Sequence, residues 1–150
     1  MNDNTSIQWI RSVLSEISLL EGEKGIQILE KCGRECAISH GLREKAKAIR
    51  DEIEDKRNID LLFTRYKEKA YDNSPRLYKK GNVIYLEYHE CGCPLVKSGV
   101  VKDPFFCHCT IGYTKERYEA LFKRPVHVEL LESILRGNKI CKQAFMIAEE

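Results

Sequence analysis

The sequence predicts an α+β fold in one domain: a helical N-terminal layer over residues 5–72, packed on a small, mostly antiparallel sheet with one inserted helix over residues 76–148. Three observations predict it. Apolar residues in the first half recur every three to four positions, the spacing of one helix face. Asn73, Ser74 and Pro75 then break that pattern. Beyond them, β-branched and aromatic residues come in short runs bounded by turn formers, as strands do. A chain of 150 residues is long enough to bury a core without help from a disulfide or a metal.

Each element has its own signal. Thr5 and Gln8 fit a capping box ahead of a stripe of Ile7, Ile10, Leu14, Ile17 and Leu20. A second helix starts near Glu23, carries Ile26, Leu29, Cys32 (or Gly33), Cys36 and His40, and ends at Gly41. A third carries Leu42, Ala46, Ile49 and Ile53, with its many charges on a solvated face. A fourth runs over residues 59–70 with Leu62, Phe63 and Tyr66. Residues 79–82 are turn-like, and residues 83–90 form the first expected strand. Gly92, Pro94, Gly99 and Pro104 mark a loop, followed by a second strand over residues 105–110. Thr114 is expected to N-cap a helix through Lys123, ahead of Pro125. Residues 126–131 and 140–147 complete the sheet, connected through Gly137 and Asn138.

Composition excludes several classes. Residues 1–75 hold 13 basic and 14 acidic side chains and residues 76–150 hold 12 and 9, so neither half is a nucleic-acid-binding arm. No apolar run reaches the roughly 18 residues of a membrane span. Asp3, Arg11 and Glu16 interrupt the apolar stretch of a signal peptide, so a cytoplasmic protein with reduced thiols is expected.

Against that background the 7 cysteines stand out. Cys91 and Cys93 form one C-x-C pair, Cys107 and Cys109 another. On strands, residues two apart share a face, so each pair projects together. If the two segments are neighbours, four sulfurs can converge, and tetrahedral zinc needs four thiolates at about 2.3 Å. Cys32 and Cys36 stand one helical turn apart on the second helix, with His40 a turn further, and can add to such a site. The alternative is that the thiols are small buried filler. His108, between Cys107 and Cys109, is expected to point the other way.

Alternation also sorts the strands. Ile84, Leu86 and Tyr88 form an apolar face, with Val126, Val128 and Leu130 doing the same on a later strand. The opposite face offers Tyr85, Glu87, His89, His127 and Glu129 as candidate ligand-binding residues. That polar face either is wet or lines a pocket under the helices. Cys91, with His89 as base and Glu87 orienting it, is the candidate catalytic set, although residues two apart on a strand lie about 6–7 Å apart at Cα.

The segments C-G-C-P-L-V (91–96), F-C-H-C-T-I-G-Y (106–113), R-P-V-H-V-E-L-L-E-S (124–133) and G-N-K-I-C-K-Q-A-F-M-I (137–147), with C-G-R-E-C-A (32–37), resemble the 4-vinyl reductase or hydrocarbon-binding domain superfamily. They lie near proteins labelled L-2-amino-thiazoline-4-carboxylic acid hydrolase. The resemblance implies a ligand-binding fold like those of TRAPP-type transport and nitric-oxide-sensing domains, a hydrophobic small-molecule ligand, and pairing as a homodimer. It also implies zinc held through E-x-x-C-x-x-x-G-x-x-x-C. Here Gly137 and Cys141 match that motif, whereas Ser133 and Leu130 replace its first Cys and its Glu. Three functions therefore compete. A small-molecule-binding domain with a cysteine-rich, metal-competent site is favoured. A cysteine-dependent hydrolase of a small cyclic amide or thiazoline carboxylic acid is the alternative, and a thiol metal or redox protein the third.

Overall fold

The computed structural model describes residues 3–149. The helical half consists of α1 (Asn4–Ser18), α2 (Lys24–Ser39), α3 (Leu42–Asp51) and α4 (Ile59–Tyr71). Asp3 caps α1, its carboxylate accepting the Thr5 backbone N–H at 3.0 Å, so the cap lies two residues before the expected Thr5. Gly41, at φ 75°, ends α2 and opens α3, a left-handed conformation suited to glycine. Asn58 caps α4 by accepting the Leu61 N–H at 3.0 Å.

The second half contains β1 (Leu77–Lys80), β2 (Val83–Tyr88), the one-turn α5 (Pro94–Lys97), a 3-10 turn (Pro104–Cys107), α6 (His108–Phe122), β3 (Val126–Glu132) and β4 (Cys141–Ile147). All neighbouring strands are antiparallel in the order β1-β2-β4-β3. The fold is the expected α+β arrangement, with the helical region before the sheet and α6 inserted into the sheet half. Among the described residues no helix is long and apolar enough to cross a membrane.

Further expectations change in this half, beginning with the loop over residues 92–104, inside which Pro94 at the first position starts the one-turn α5. Lys79 and Lys80, expected in a turn, belong to β1; the turn itself is Gly81 and Asn82. The strand expected over residues 105–110 is instead the 3-10 turn and the start of α6. Its aromatic and β-branched composition pointed to a strand. The local backbone decides otherwise: Pro104 sits at the first position of the turn, and Asp103 accepts the Phe105 N–H at 2.9 Å. Thr114 is consequently not an N-cap but lies buried in the middle of α6.

One sheet face is covered and one is open. Ile84, Leu86, Val126, Val128 and Phe145 point under the helices and pack with Ile49, Leu62, Tyr66, Tyr118 and Leu121. Burying these apolar side chains is the main driving force for the fold. Helix α6 lies between the sheet and α2 and α3. The open face carries Tyr85, stacked on Tyr78 at 5.2 Å between ring centroids, with the Lys142 ammonium 5.3 Å from the Tyr85 ring.

Candidate functional site

Helices α2 and α6 cross with almost no side chain between them. A Cβ built on Gly33 would overlap the Cys109 carbonyl oxygen, and one built on Gly112 would overlap the Glu30 carbonyl oxygen. Each helix thus lays a glycine against the backbone of the other. Ion pairs flank the crossing: Arg34 reaches Glu116 at 3.0 Å and Glu119 at 2.8 Å, and Lys115 reaches Glu30 at 2.9 Å. Arg43 of α3 closes on Glu116 at 2.6 Å. Burial pushes the Glu116 carboxyl up, but hydrogen bonds from Arg43 and Arg34 outweigh it and leave the carboxyl below its ordinary value.

The glycine crossing brings Cys36, one turn beyond Gly33, and Cys109, one turn before Gly112, to the same place. There, at the end of the sheet where β2 and β3 finish and β4 begins, lies a cleft of about 320 Å³. Its walls come from α2 (Cys36, His40), the segment after β2 (Glu90 to Pro94, and Val96), the 3-10 turn (Phe106, Cys107), α6 (Cys109, Thr110, Tyr113, Arg117) and the sheet end (Tyr88, Leu130, Ser133, Leu135, Cys141). Six of the seven cysteines line it, and the seventh, Cys32, is exposed on α2.

Burial governs four of the thiols. It pushes Cys36, Cys91 and Cys107 above the ordinary thiol value, and with the neighbouring thiols it pushes Cys109 up to about 12. These four are therefore neutral S–H groups at neutral pH. Cys107 Sγ lies 3.1 Å from Ser133 Oγ, and Cys141 Sγ accepts the Ile134 N–H at 3.4 Å. All seven thiols are free.

Cys91, Cys93, Cys107 and Cys109, read as two strand pairs, lie on no strand. They still surround one cleft, because the segment after β2 and the start of α6 both border it. Among the described residues, no group of three or more His, Cys, Asp or Glu side chains is arranged to hold a metal ion.

The polar-face candidates lie elsewhere. Tyr85, Glu87, His127 and Glu129 project from the open side of the sheet, and His127 Nε2 is 3.7 Å from Glu129 Oε1 in solvent. His89 is exposed beyond the end of β2 and does not border the cleft. The candidate set Cys91, His89 and Glu87 is thus not brought together around the cleft. The helices cover the apolar face of the sheet, which leaves the polar face in water. The Cys–His contact bordering the cleft is a different one: Cys36 Sγ stands 3.8 Å from His40 Nδ1, which is also 3.3 Å from Tyr113 Oη. His108 packs edge-on against Phe105 at 5.1 Å; burial and the nearby Arg136 hold its imidazole below the ordinary value.

Sequence reasoning missed Tyr88, Tyr113 and Arg117 as cleft residues. Arg117 sits in the run K-E-R-Y-E, which reads as a solvated helix surface. Its signal was Tyr113 one turn earlier, an aromatic on the same face.

Residues 1–150 match a family described as a family of unknown function, DUF6144. The chain belongs to that family. No curated protein matches it. In this DUF6144 member the chemistry of the cleft is what bears on function.

Proposed function

We propose that this protein binds a small, largely apolar organic molecule in the cysteine-lined cleft. The observation that carries the proposal is the convergence of six cysteines with Val96, Phe106, Leu130 and Leu135 on one cleft of about 320 Å³. That volume lies within the range of small-molecule sites, and such sites are mainly apolar with a few polar groups. Protonated thiols, as at the half-buried Cys36, Cys91, Cys107 and Cys109, are soft and polarizable and behave as apolar wall. They supply contact area without the stored thiolate that cysteine hydrolysis requires. This favours binding over the hydrolase alternative, for which the candidate base His89 stands away from the cleft. The sequence resemblance to hydrocarbon-binding domains points the same way.

The proposal is tested by native mass spectrometry of the purified protein and by calorimetric titration with neutral apolar probes, hexanamide and phenylacetamide. The expected result is a co-purifying organic adduct or saturable probe binding in the wild type, and neither in Leu135→Trp, which fills the cleft. Probe binding that survives in a folded Leu135→Trp variant, or no adduct and no binding in the wild type, overturns the proposal.

A further inference from the structure

One side chain of the cleft is out of keeping with its apolar wall. Arg117 is only 6 % exposed. Its Nη2 donates to Tyr88 Oη at 3.0 Å, and its Nε is buried with no hydrogen-bond partner. The guanidinium faces the rings of Tyr118, Tyr71 and Tyr113 at 5.0, 5.6 and 5.7 Å. The acidic residues nearest in sequence, Glu116 and Glu119, are taken up by Arg34 and Arg43. Among the described residues Arg117 forms no ion pair.

A guanidinium does not lose its proton in a protein, so this is a buried positive charge without a counter-charge. Buried charges are strongly disfavoured unless paired. The tyrosine rings offset part of that cost, and the Tyr88 and Tyr66 hydroxyls accept hydrogen bonds from the guanidinium, but none of these partners supplies a counter-charge. The guanidinium fork is shaped to donate two parallel hydrogen bonds to one planar or tetrahedral anion. The rest of the wall does not compete for it. Burial holds the Cys36, Cys91, Cys107 and Cys109 thiols protonated, and Glu90, at the rim, is directed outward to within 4.0 Å of Lys97.

We propose that the ligand is an apolar organic anion: a single carboxylate or comparable acidic group seated against Arg117, with its apolar body along the thiol and aromatic wall. The proposal rests on reading the cleft as a ligand site. It adds a charge requirement that cleft shape alone does not contain.

The test compares matched probes by calorimetry: hexanoate with hexanamide, and phenylacetate with phenylacetamide. In the wild type each acid should bind about 10- to 100-fold more tightly than its amide, the usual worth of hydrogen bonds to a charged group. The preference should vanish in Arg117→Met and persist in part in Arg117→Lys. Should Arg117→Met fail to fold, the wild-type comparison still decides. Amides that bind as well as acids would overturn the anion proposal and leave the cleft as a neutral-ligand site. An acid preference that persists in folded Arg117→Met would overturn the role of Arg117. Absence of binding by every probe would remove the binding site itself.

Discussion

Thr114, in the middle of α6, donates its hydroxyl proton to the side-chain oxygen of Gln143 in β4, and both residues are only 1 % exposed. The Gln143 amide then donates to Thr110 Oγ1 at 2.9 Å. This buried polar chain fixes the rotation of α6 over the sheet, and with it the positions of Thr110, Tyr113 and Arg117 around the cleft. Thr114→Val keeps the shape and removes the donor, so Gln143 loses a partner it cannot replace with water. A loss of about 1–3 kcal/mol is expected in urea unfolding. Combining it with Gln143→Leu should cost less than the sum of the two single changes.

The glycine crossing predicts a larger effect. Gly33→Ala and Gly112→Ala each force a methyl into a backbone carbonyl of the facing helix. Each should destabilise the fold by at least about 1–3 kcal/mol, the usual cost of overpacking. Gly92→Ala, where a Cβ meets nothing within 4 Å, is the control and should shift the midpoint little. A near-neutral Gly33→Ala would mean that α2 and α6 can separate cheaply.

Thiol chemistry should be strongly site-selective. Cys109, with its value pushed up to about 12, holds only about one thiolate in ten thousand at pH 8. Cys32 is exposed. Timed iodoacetamide labelling of the native protein, read by peptide mass spectrometry, should modify Cys32 first and Cys109 last. Early labelling of Cys109 would show that the cleft opens on the timescale of the reaction.

Acid should loosen the helix crossing through Glu116. Its folded value is depressed, so its stabilisation is complete above the unfolded value of about 4.5 and is lost as pH falls through the lower folded value. Urea midpoints measured between pH 3 and pH 6 should therefore fall less steeply on the acid side in Glu116→Gln than in the wild type. Equal slopes would show that Arg34 and Arg43 contribute nothing titratable there.

Much of this was legible in the sequence, and what was not has physical reasons. The stripe from Leu29 through Cys36 to His40 gave α2 and two cleft residues, because helical periodicity survives in any context. The apolar alternation of Ile84 and Leu86 gave the buried face of β2. Alternation says which residues share a face but not what lies over it. Helices cover the face that gains most from burial, so Tyr85, Glu87, His127 and Glu129 stayed in water. Residues 105–110 turn helical because a short signal, Asp103 before Pro104, overrides the β propensity of F-F-C-H-C-T. The meeting of Cys36 with Cys109 depends on two glycines 79 residues apart in the chain, a coincidence that only packing reveals.

The strand order β1-β2-β4-β3 also makes β3 depend on the strand that follows it in the chain. β1 and β2 are adjacent in the chain and can pair as soon as both leave the ribosome. β3 cannot, because its sole neighbour in the sheet is β4, which is made after it. A chain truncated before Cys141 would hold Val126–Glu132 with both edges unpaired and Phe145 missing from the core. Unpaired strands of this kind are prone to join other chains. Residues Cys141–Ile147 thus guard the protein against aggregation as well as completing its core.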